Sequence, residues 1–222
     1  WSDKYYLSGV RRDTTLNGVG RMELSEIEIN EETVEEVSRL RIDVPDENSY
    51  CEKNWMPILN KPYHYVKWSN PTEIVKINLE DKISETIYSG EKITSLERDI
   101  RGGSQVIEWF DDTYLCITHE TDFIPQDMNG WKDADYYHRF VILNKDYSIK
   151  YVSDDFNFMC ARVEFCVGMA EHKEDILITF GFQDNGSYLL KINKEKLREL
   201  LDTELNKNHM GQSFIQKISS HN

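Results

Sequence analysis

An acidic residue beside two arginines is the first feature of this sequence that could carry out chemistry. Asp13 follows Arg11 and Arg12 in a polar stretch. A carboxyl group in this setting can act as a general acid, with the arginines contacting the substrate or tuning its pKa. The alternative is an ion pair within a loop. Asp13 is therefore a candidate catalytic residue, and Arg11 and Arg12 are candidate substrate-binding residues.

A second polar stretch combines an aromatic ring with a cation and an amide. Lys53, Asn54 and Trp55 stand together just before a strand-like segment. A tryptophan ring can pack on the apolar face of a sugar while neighbouring polar groups bond to its hydroxyls. This pattern predicts substrate binding, and a core tryptophan with solvated neighbours is the alternative. Similarly, Arg101 and Gln105 flank Gly102 and Gly103, where the backbone could approach a ligand or simply turn.

Histidine, arginine and carboxylate side chains also occur in apolar strand-like segments. His119 and Glu120 follow the apolar run Tyr114–Thr118, so we expect both to emerge at one strand end, where they could act as acid and base or form a structural pair. His138 and Arg139 lie inside another such segment. A buried arginine needs a partner, which predicts that Arg139 pairs with Glu120 or Glu164 and that this pair is either structural or ligand-binding.

Two further acidic residues complete the candidate set. Glu164 lies between Val163 and Phe165, and burial there would raise its pKa, as suits a second acid or base; an ion pair with arginine is the alternative. Asp184 stands in a turn-like stretch before Asn185-Gly186 and is either a turn residue or a substrate contact. Glu120 and Glu164 thus join Asp13 as catalytic candidates.

Composition and charge exclude several classes of function. The 222 residues carry a net charge of −14, which disfavours binding to nucleic acids and to anionic membrane surfaces but leaves neutral partners such as sugars open. No run of 18 apolar residues and no signal-peptide pattern is present, so we expect no membrane span. The four cysteines lack CxxC spacing and read as buried thiols of a reducing compartment, which predicts a cytoplasmic protein.

Neither a metal nor a cofactor is predicted. No Cys/His set has the spacing of metal ligands. No glycine-rich phosphate loop stands out. Asp133-Ala134-Asp135 has the residue types of a metal-binding DxD motif, but no other feature of the sequence supports a metal site there. We expect this stretch to be a solvated loop.

Alternating apolar and polar residues predict an all-β fold built from repeated strand pairs. The first strands of the four pairs begin near Tyr5, Tyr63, Tyr114 and Ile176, at offsets of 58, 51 and 62 residues. This loose period is near that of four-stranded propeller blades, so residues 1–193 are predicted to form four visible blades of a five-bladed β-propeller. A β-sandwich of about eleven strands is the alternative.

The C-terminal residues 194–222 are predicted to form a short helix and a tail. Asn193 is a suitable N-cap, and Leu197, Leu200, Leu201 and Leu205 make one apolar stripe. Phe214 and Ile215 could dock the frayed tail. Since the chain begins at Trp1, directly before a strand-like pattern, we expect it to be a fragment.

Several motifs, in this order, resemble those of a known family. They are Arg101-Gly102-Gly103-Ser104-Gln105, Thr118-His119-Glu120, Tyr137-His138-Arg139-Phe140, Glu164-Phe165-Cys166-Val167-Gly168-Met169-Ala170 and Gly181-Phe182-Gln183-Asp184. Over roughly residues 4–192 the chain resembles the five-bladed β-propellers of the β-mannoside phosphorylase and mannosyl-hydrolase type. It resembles more closely the propeller domain fused to bacterial and large-virus glycosyltransferases.

The resemblance implies a glycan site in a central funnel, with Asp13 as the acid, His119 as a phosphate contact and Asp184 near the substrate. It also implies a glycosyltransferase domain as a fused or bound partner. The family's phosphate-binding arginine is absent, since Lys67 and Trp68 stand near its place. The leading hypothesis is therefore glycosyl transfer or glycoside cleavage on a mannoside-type glycan, and the alternative is a noncatalytic glycan-binding module. A propeller scaffold for protein partners is the third hypothesis.

Overall fold

The chain is built almost entirely from antiparallel sheets. The computed structural model describes residues 1–12, 18–44, 49–96, 98–124, 133–203 and 213–219. Strands hold 58% of the described residues and helices 9%, which confirms the all-β prediction. The chain divides into two compact units, Trp1–Lys92 and Ile93–Asn222, a division that the sequence did not suggest.

In the first unit, the described strands form two sheets in which neighbouring strands follow one another in sequence. The strands are β1 (Tyr5–Arg12), β2 (Gly20–Ile29), β3 (Val34–Arg41), β4 (Met56–Pro57), β5 (His64–Ser69), β6 (Thr72–Asn78) and β7 (Ile83–Ser89). One sheet has the order β1-β2-β3 and the other β4-β5-β6-β7. On β2, the alternate residues Met22 and Leu24 are buried, and they pack in a core with Trp55, Tyr65 and Val75.

The described residues of the second unit form two further sheets, followed by two helices. Its elements are β8 (Arg101–Gly102), β9 (Ile107–Trp109), β10 (Thr113–Ile124), β11 (Asp133–Asn144), β12 (Ile149–Val152), β13 (Glu164–His172), β14 (Asp175–Phe182), β15 (Gly186–Asn193), α1 (Lys194–Thr203) and α2 (Phe214–Ser219). One sheet has the order β12-β11-β10-β8, with β9 also paired to β10, and the other is β13-β14-β15. A short turn at Phe110–Asp112 connects β9 to β10.

Each predicted strand pair forms neighbouring strands of one sheet. The pairs are β1-β2, β5-β6, β10-β11 and β14-β15. Strands β3 and β7 were not predicted, because their largely exposed sequences, highly charged in β3, lack a clear apolar alternation. The radial arrangement and closure of a propeller stay predictions.

Helix α1 begins where the sequence placed it and joins the core of the second unit. The side-chain oxygen of Asn193 accepts hydrogen bonds from the backbone N–H groups of Glu195 and Lys196, at 3.1 and 3.2 Å. These bonds satisfy donors that the first helical turn cannot pair internally. Three leucines of the predicted stripe, Leu197, Leu200 and Leu201, are buried in that core, while the fourth, Leu205, lies outside the described residues. Phe214 of α2 docks in the core as well.

The N-cap makes a measurable contribution to stability. We expect Asn193→Ala to lower the free energy of unfolding by about 1 kcal/mol, because two backbone donors lose their acceptor. Urea unfolding followed by far-UV circular dichroism measures this change. Asn193→Asp should retain wild-type stability, since aspartate also caps helices. Equal losses in both variants would show that the cap is not the cause.

Candidate functional site

A half-exposed arginine in the second unit gathers three carboxylates. The Nε and Nη2 atoms of Arg98 bond to the two carboxylate oxygens of Asp122, each at 2.8 Å. Its Nη1 atom lies 3.3 Å from Oε2 of Glu120 and 3.2 Å from Oδ2 of Asp155. The guanidinium carbon is 4.6 Å from the centre of the Tyr137 ring. These residues and Arg139 are called the Arg98 cluster below.

Strand register explains why these side chains meet. Residues two apart on a strand point to the same face, so Glu120 and Asp122 of β10 lie side by side. On β11, Tyr137 stands opposite Glu120, and Arg139 stands opposite Thr118. The cluster therefore occupies one face of the β10-β11 pair, near the end of β10.

Glu120 is the buried centre of this cluster. Its side chain is 2% exposed, with Oε1 accepting a hydrogen bond from Nε of Arg139 and Oε2 paired with Arg98. Arg139 also donates from Nη1 to the carbonyl of Ser153 at 2.8 Å. The predicted Arg139–Glu120 pair is confirmed. Since arginines engage both oxygens of Glu120, it is a poor position for acid–base catalysis in this arrangement.

The exposed members of the cluster form a polar surface of nearly balanced charge. Arg98, Asp122 and Asp155 are 34%, 45% and 35% exposed. Partial burial acts to lower the pKa of Arg98, but the bonds to Asp122, Glu120 and Asp155 outweigh it and raise this pKa. Burial, followed by the charge of Asp135, raises the pKa of Tyr137, so its hydroxyl stays protonated. The surface thus offers fixed donors, acceptors and an aromatic ring, which are the groups that bind sugar hydroxyls.

The two histidines lie on the opposite face of the same strand pair. Strand β10 continues to Ile124 and is buried on both faces from Thr113 to Glu120. The expectation that His119 and Glu120 emerge together at a strand end is therefore wrong, because the strand runs four residues further and the two side chains point to opposite faces. Nδ1 of His119 lies 2.9 Å from the carbonyl of Gly102.

His138 is fully buried and neutral. Its Nε2 atom accepts a hydrogen bond from the backbone N–H of Cys166 at 3.2 Å, while its Nδ1 atom is buried and forms no hydrogen bond. Burial, together with the nearby charge of His119, lowers the pKa of His138 to about 3. This environment does not fit the predicted substrate contact, because the ring is not accessible to a ligand.

Glu164 binds the backbone of its own loop. Its fully buried carboxylate accepts hydrogen bonds from the N–H groups of Phe158, Met159 and Ala161, at 2.5, 2.9 and 2.8 Å. Both the predicted catalytic role and the alternative arginine pair disagree with this geometry, since backbone donors engage both oxygens. Sequence alone could not show that the preceding loop folds over this carboxylate.

Other predicted site residues of the second unit have local partners. Gln105 accepts a bond from the N–H of Met169 at 2.7 Å, and Arg101 pairs with Asp99 at 2.8 Å. Asp184 lies in the β14–β15 turn, with a φ of 53°. Its position matches the turn alternative. None of these three takes part in the Arg98 cluster.

The remaining predicted residues belong to the first unit or lie outside the described residues. Trp55 is buried and donates to Glu52 at 3.1 Å, a position that matches the alternative of a core tryptophan. Lys53 is exposed and Asn54 is half-buried beside it, with a φ of 62°. The predicted acid Asp13 lies outside the described residues.

The two neighbouring arginines occupy exposed positions on β1. Arg11 lies 3.8 Å from Glu23. Arg12 donates to the carbonyl of Gly18 at 2.9 Å and to the hydroxyl of Tyr50. Their predicted contacts with substrate stay predictions.

Four members of the Arg98 cluster were missed by sequence reasoning, namely Arg98, Asp122, Tyr137 and Asp155. The two-residue period of β10 could have placed Asp122 beside Glu120. Arg98 and Asp155 lie in irregular segments, where the sequence gives no register to place them. Their meeting is a result of tertiary folding.

The DxD-like stretch is part of a strand and not a solvated loop. It begins β11, where Ala134 is buried and Asp135 pairs with Arg162 at 2.8 Å. Among the described residues, no group of three or more His, Cys, Asp or Glu side chains is arranged to hold a metal ion. Within the same part of the chain, no helix is both long and apolar enough to cross a membrane.

Comparison with known proteins identifies a structural neighbour. No family model and no curated protein matches the chain. The chain is similar in structure to MPT-1, a GDP-Man-dependent mannosyltransferase from Leishmania mexicana, with a TM-score of 0.53 and 13% sequence identity. The match covers 86% of this chain and 64% of the mannosyltransferase chain. At this identity the likeness shows a shared fold.

Burial of neutral His138 should make stability depend on pH. Because the folded-state pKa is lowered, the unfolded state takes up the proton first, and the free energy of unfolding falls as the pH decreases from about 6.5 to about 3. The loss is at most about 1.4 kcal/mol per pH unit. Urea unfolding at several pH values should show a weaker dependence in His138→Gln than in wild type. The exposed control His172→Gln should retain the wild-type slope, and unchanged slopes in both variants would contradict the prediction.

The carboxylate of Glu164 should be needed for the stability of the second unit. We expect Glu164→Gln to lower the free energy of unfolding by about 2–3 kcal/mol, because its amide group turns a donor toward backbone donors. Chemical denaturation measures the loss. Glu174→Gln, at an exposed position, is the matched control. A loss that is no larger for Glu164→Gln than for the control would show that the three hydrogen bonds do not stabilise the loop.

Proposed function

We propose that the chain is a carbohydrate-binding domain that recognises a mannoside-type or related glycan at the Arg98 cluster. The observation that carries the proposal is the cluster itself, where ion pairs fix partly exposed Arg98, Asp122 and Asp155 beside the Tyr137 ring. Fixed carboxylates accept hydrogen bonds from sugar hydroxyls, and the guanidinium donates to them. An aromatic ring can contact the apolar face of the same sugar.

The charge of the chain supports a neutral ligand. The cluster contains two arginines and three carboxylates, so their charges nearly cancel. The net charge of −14 also disfavours polyanionic partners. A neutral glycan can exchange its bonds to water for bonds to these groups without adding charge to the site.

Glycosyl transfer is the second candidate function, and the fold likeness to a GDP-Man-dependent mannosyltransferase favours it. Arginines already engage Glu120, and backbone donors engage Glu164. Asp13 is therefore the remaining candidate acid of the three, and its role rests on the family resemblance. In this proposal the five-bladed propeller supplies the glycan site, and transfer involves a glycosyltransferase domain that is fused to the chain or bound to it.

Titration with manno-oligosaccharides by isothermal calorimetry tests the binding proposal. We expect Tyr137→Ala to weaken binding roughly tenfold through the lost aromatic contact. Asp122→Asn should weaken it as well, because the amide replaces a charged acceptor. Asp81→Asn and Tyr188→Ala are matched controls at exposed positions outside the cluster. Circular dichroism checks that each variant folds.

Wild-type affinity in the folded cluster variants would rule out the Arg98 cluster as the glycan site. For the second candidate, GDP-mannose and a manno-oligosaccharide are incubated with the chain, and the products are separated by chromatography. Turnover by wild type that is lost in Asp13→Asn, with glycan binding retained, would support transfer. Glycan binding without turnover favours the binding module.

A further inference from the structure

A pocket lies at the opposite end of β10 from the Arg98 cluster. Its volume is about 330 Å³, and Thr113, the first residue of β10, is part of its lining. Glu120 is seven residues further along the strand, which places the pocket roughly 20 Å from the cluster at the usual rise of a β-strand. A ligand in this pocket would therefore occupy a separate site.

Aromatic and apolar side chains form much of the lining of this pocket. Tyr151 of β12 and Leu201 of α1 are joined by a hydrogen bond of 3.3 Å from the tyrosine hydroxyl to the leucine carbonyl. Trp109 and Phe110 form an edge-to-face pair with ring centres 4.8 Å apart. Such a lining, with a few polar groups around it, is typical of small-ligand sites.

Four side chains of balanced charge complete the lining. The guanidinium carbon of Arg198 lies 4.6 Å from the centre of the Phe110 ring, and its Nη2 atom lies 3.9 Å from Asp111. Lys150 and Asp202 also line the pocket, and neither forms an ion pair with another described residue. Because two cations face two carboxylates, the pocket favours a neutral ligand with many hydrogen-bonding groups over an ion.

The backbone beside the pocket is in a costly conformation. Asp111 and Asp112 are consecutive residues with φ values of 53° and 55°, in the left-handed region that favours glycine. Aspartate adopts this conformation more readily than most residues, as Asp184 does in the β14–β15 turn. Here the turn places the carboxylate of Asp111 at the pocket, opposite Arg198.

We propose that this pocket is a second carbohydrate site, which binds a single neutral sugar residue. Tyr151 contacts the apolar face of the sugar, while Lys150, Asp202 and Arg198 bond to its hydroxyls. The choice of a sugar as the ligand rests on the proposed function, but the pocket does not require the Arg98 cluster. Two sites at opposite ends of one strand would let the domain hold two glycan chains, or two distant parts of one chain.

Site-resolved NMR separates this proposal from the proposed function. Amide shifts of the 15N-labelled chain are followed during titration with methyl mannoside, methyl glucoside and mannobiose. We expect shifts at Asp111 and Tyr151 for the pocket, and at Asp122 and Tyr137 for the Arg98 cluster. The double variant Lys150→Ala/Asp202→Ala should weaken the pocket response by at least about tenfold, because charged hydrogen-bonding partners are lost. The cluster response should stay unchanged.

Matched controls use exposed residues outside the pocket lining. Lys173→Ala and Glu199→Ala remove the same kinds of charge, the latter on the same helix as Asp202. Both should respond to sugars as wild type does. The substituted residues Lys150 and Asp202 are themselves exposed, so the double variant should fold, and its amide spectrum shows whether it does.

Each outcome decides between the two sites. Cluster shifts without pocket shifts would overturn this inference and leave the proposed function standing. Pocket shifts that the double variant abolishes would support the inference, even if the cluster did not respond. Equal pocket shifts with sodium acetate or ammonium chloride would identify an ion site and overturn it, as would wild-type pocket shifts in the folded double variant.

Discussion

The buried carboxylate of Glu120, held between Arg98 and Arg139, is the interaction on which the candidate glycan surface depends. A buried charge is tolerated only when it is paired and hydrogen-bonded, and both oxygens of Glu120 meet arginine donors. Once Arg98 is drawn to this carboxylate, its remaining donors hold Asp122 and Asp155 near the surface. The pairing of this buried carboxylate thus fixes the positions of side chains that are partly exposed to solvent.

The same physical demand separates structural polar residues from those available to a ligand. Glu164 is as buried as Glu120, but both of its carboxylate oxygens accept hydrogen bonds from the backbone of one loop. They are therefore not available to a substrate. His138 is buried without a partner for Nδ1 and stays neutral. Polar residues in apolar strands correctly indicated polar side chains that are buried. Most of these side chains bond to other parts of the fold and are not exposed to a ligand.

Much of the secondary structure followed from the sequence, while the site followed only in part. Two-residue alternation identified β2 and the four strand pairs, because one face of each strand must meet a core. The pairing of Arg139 with Glu120 was predictable, since an arginine between apolar residues needs a carboxylate. The roles of Arg98 and Asp155 were not predictable, because irregular segments carry no period that fixes where a side chain points. The burial of the Trp55 ring was also not predictable, because the residues that precede it in the sequence are polar.

Consecutive pairing within each of the four sheets has a consequence for how the chain acquires its structure. Strands that are hydrogen-bonded to each other within a sheet are also neighbours in sequence, apart from the short β8 and β9 segments that share β10. The loops between paired strands are therefore short, and the entropy of loop closure that opposes each pairing is small. Strand pairing is thus local to each sheet, whereas the core of the second unit needs residues of both of its sheets and of α1 and α2.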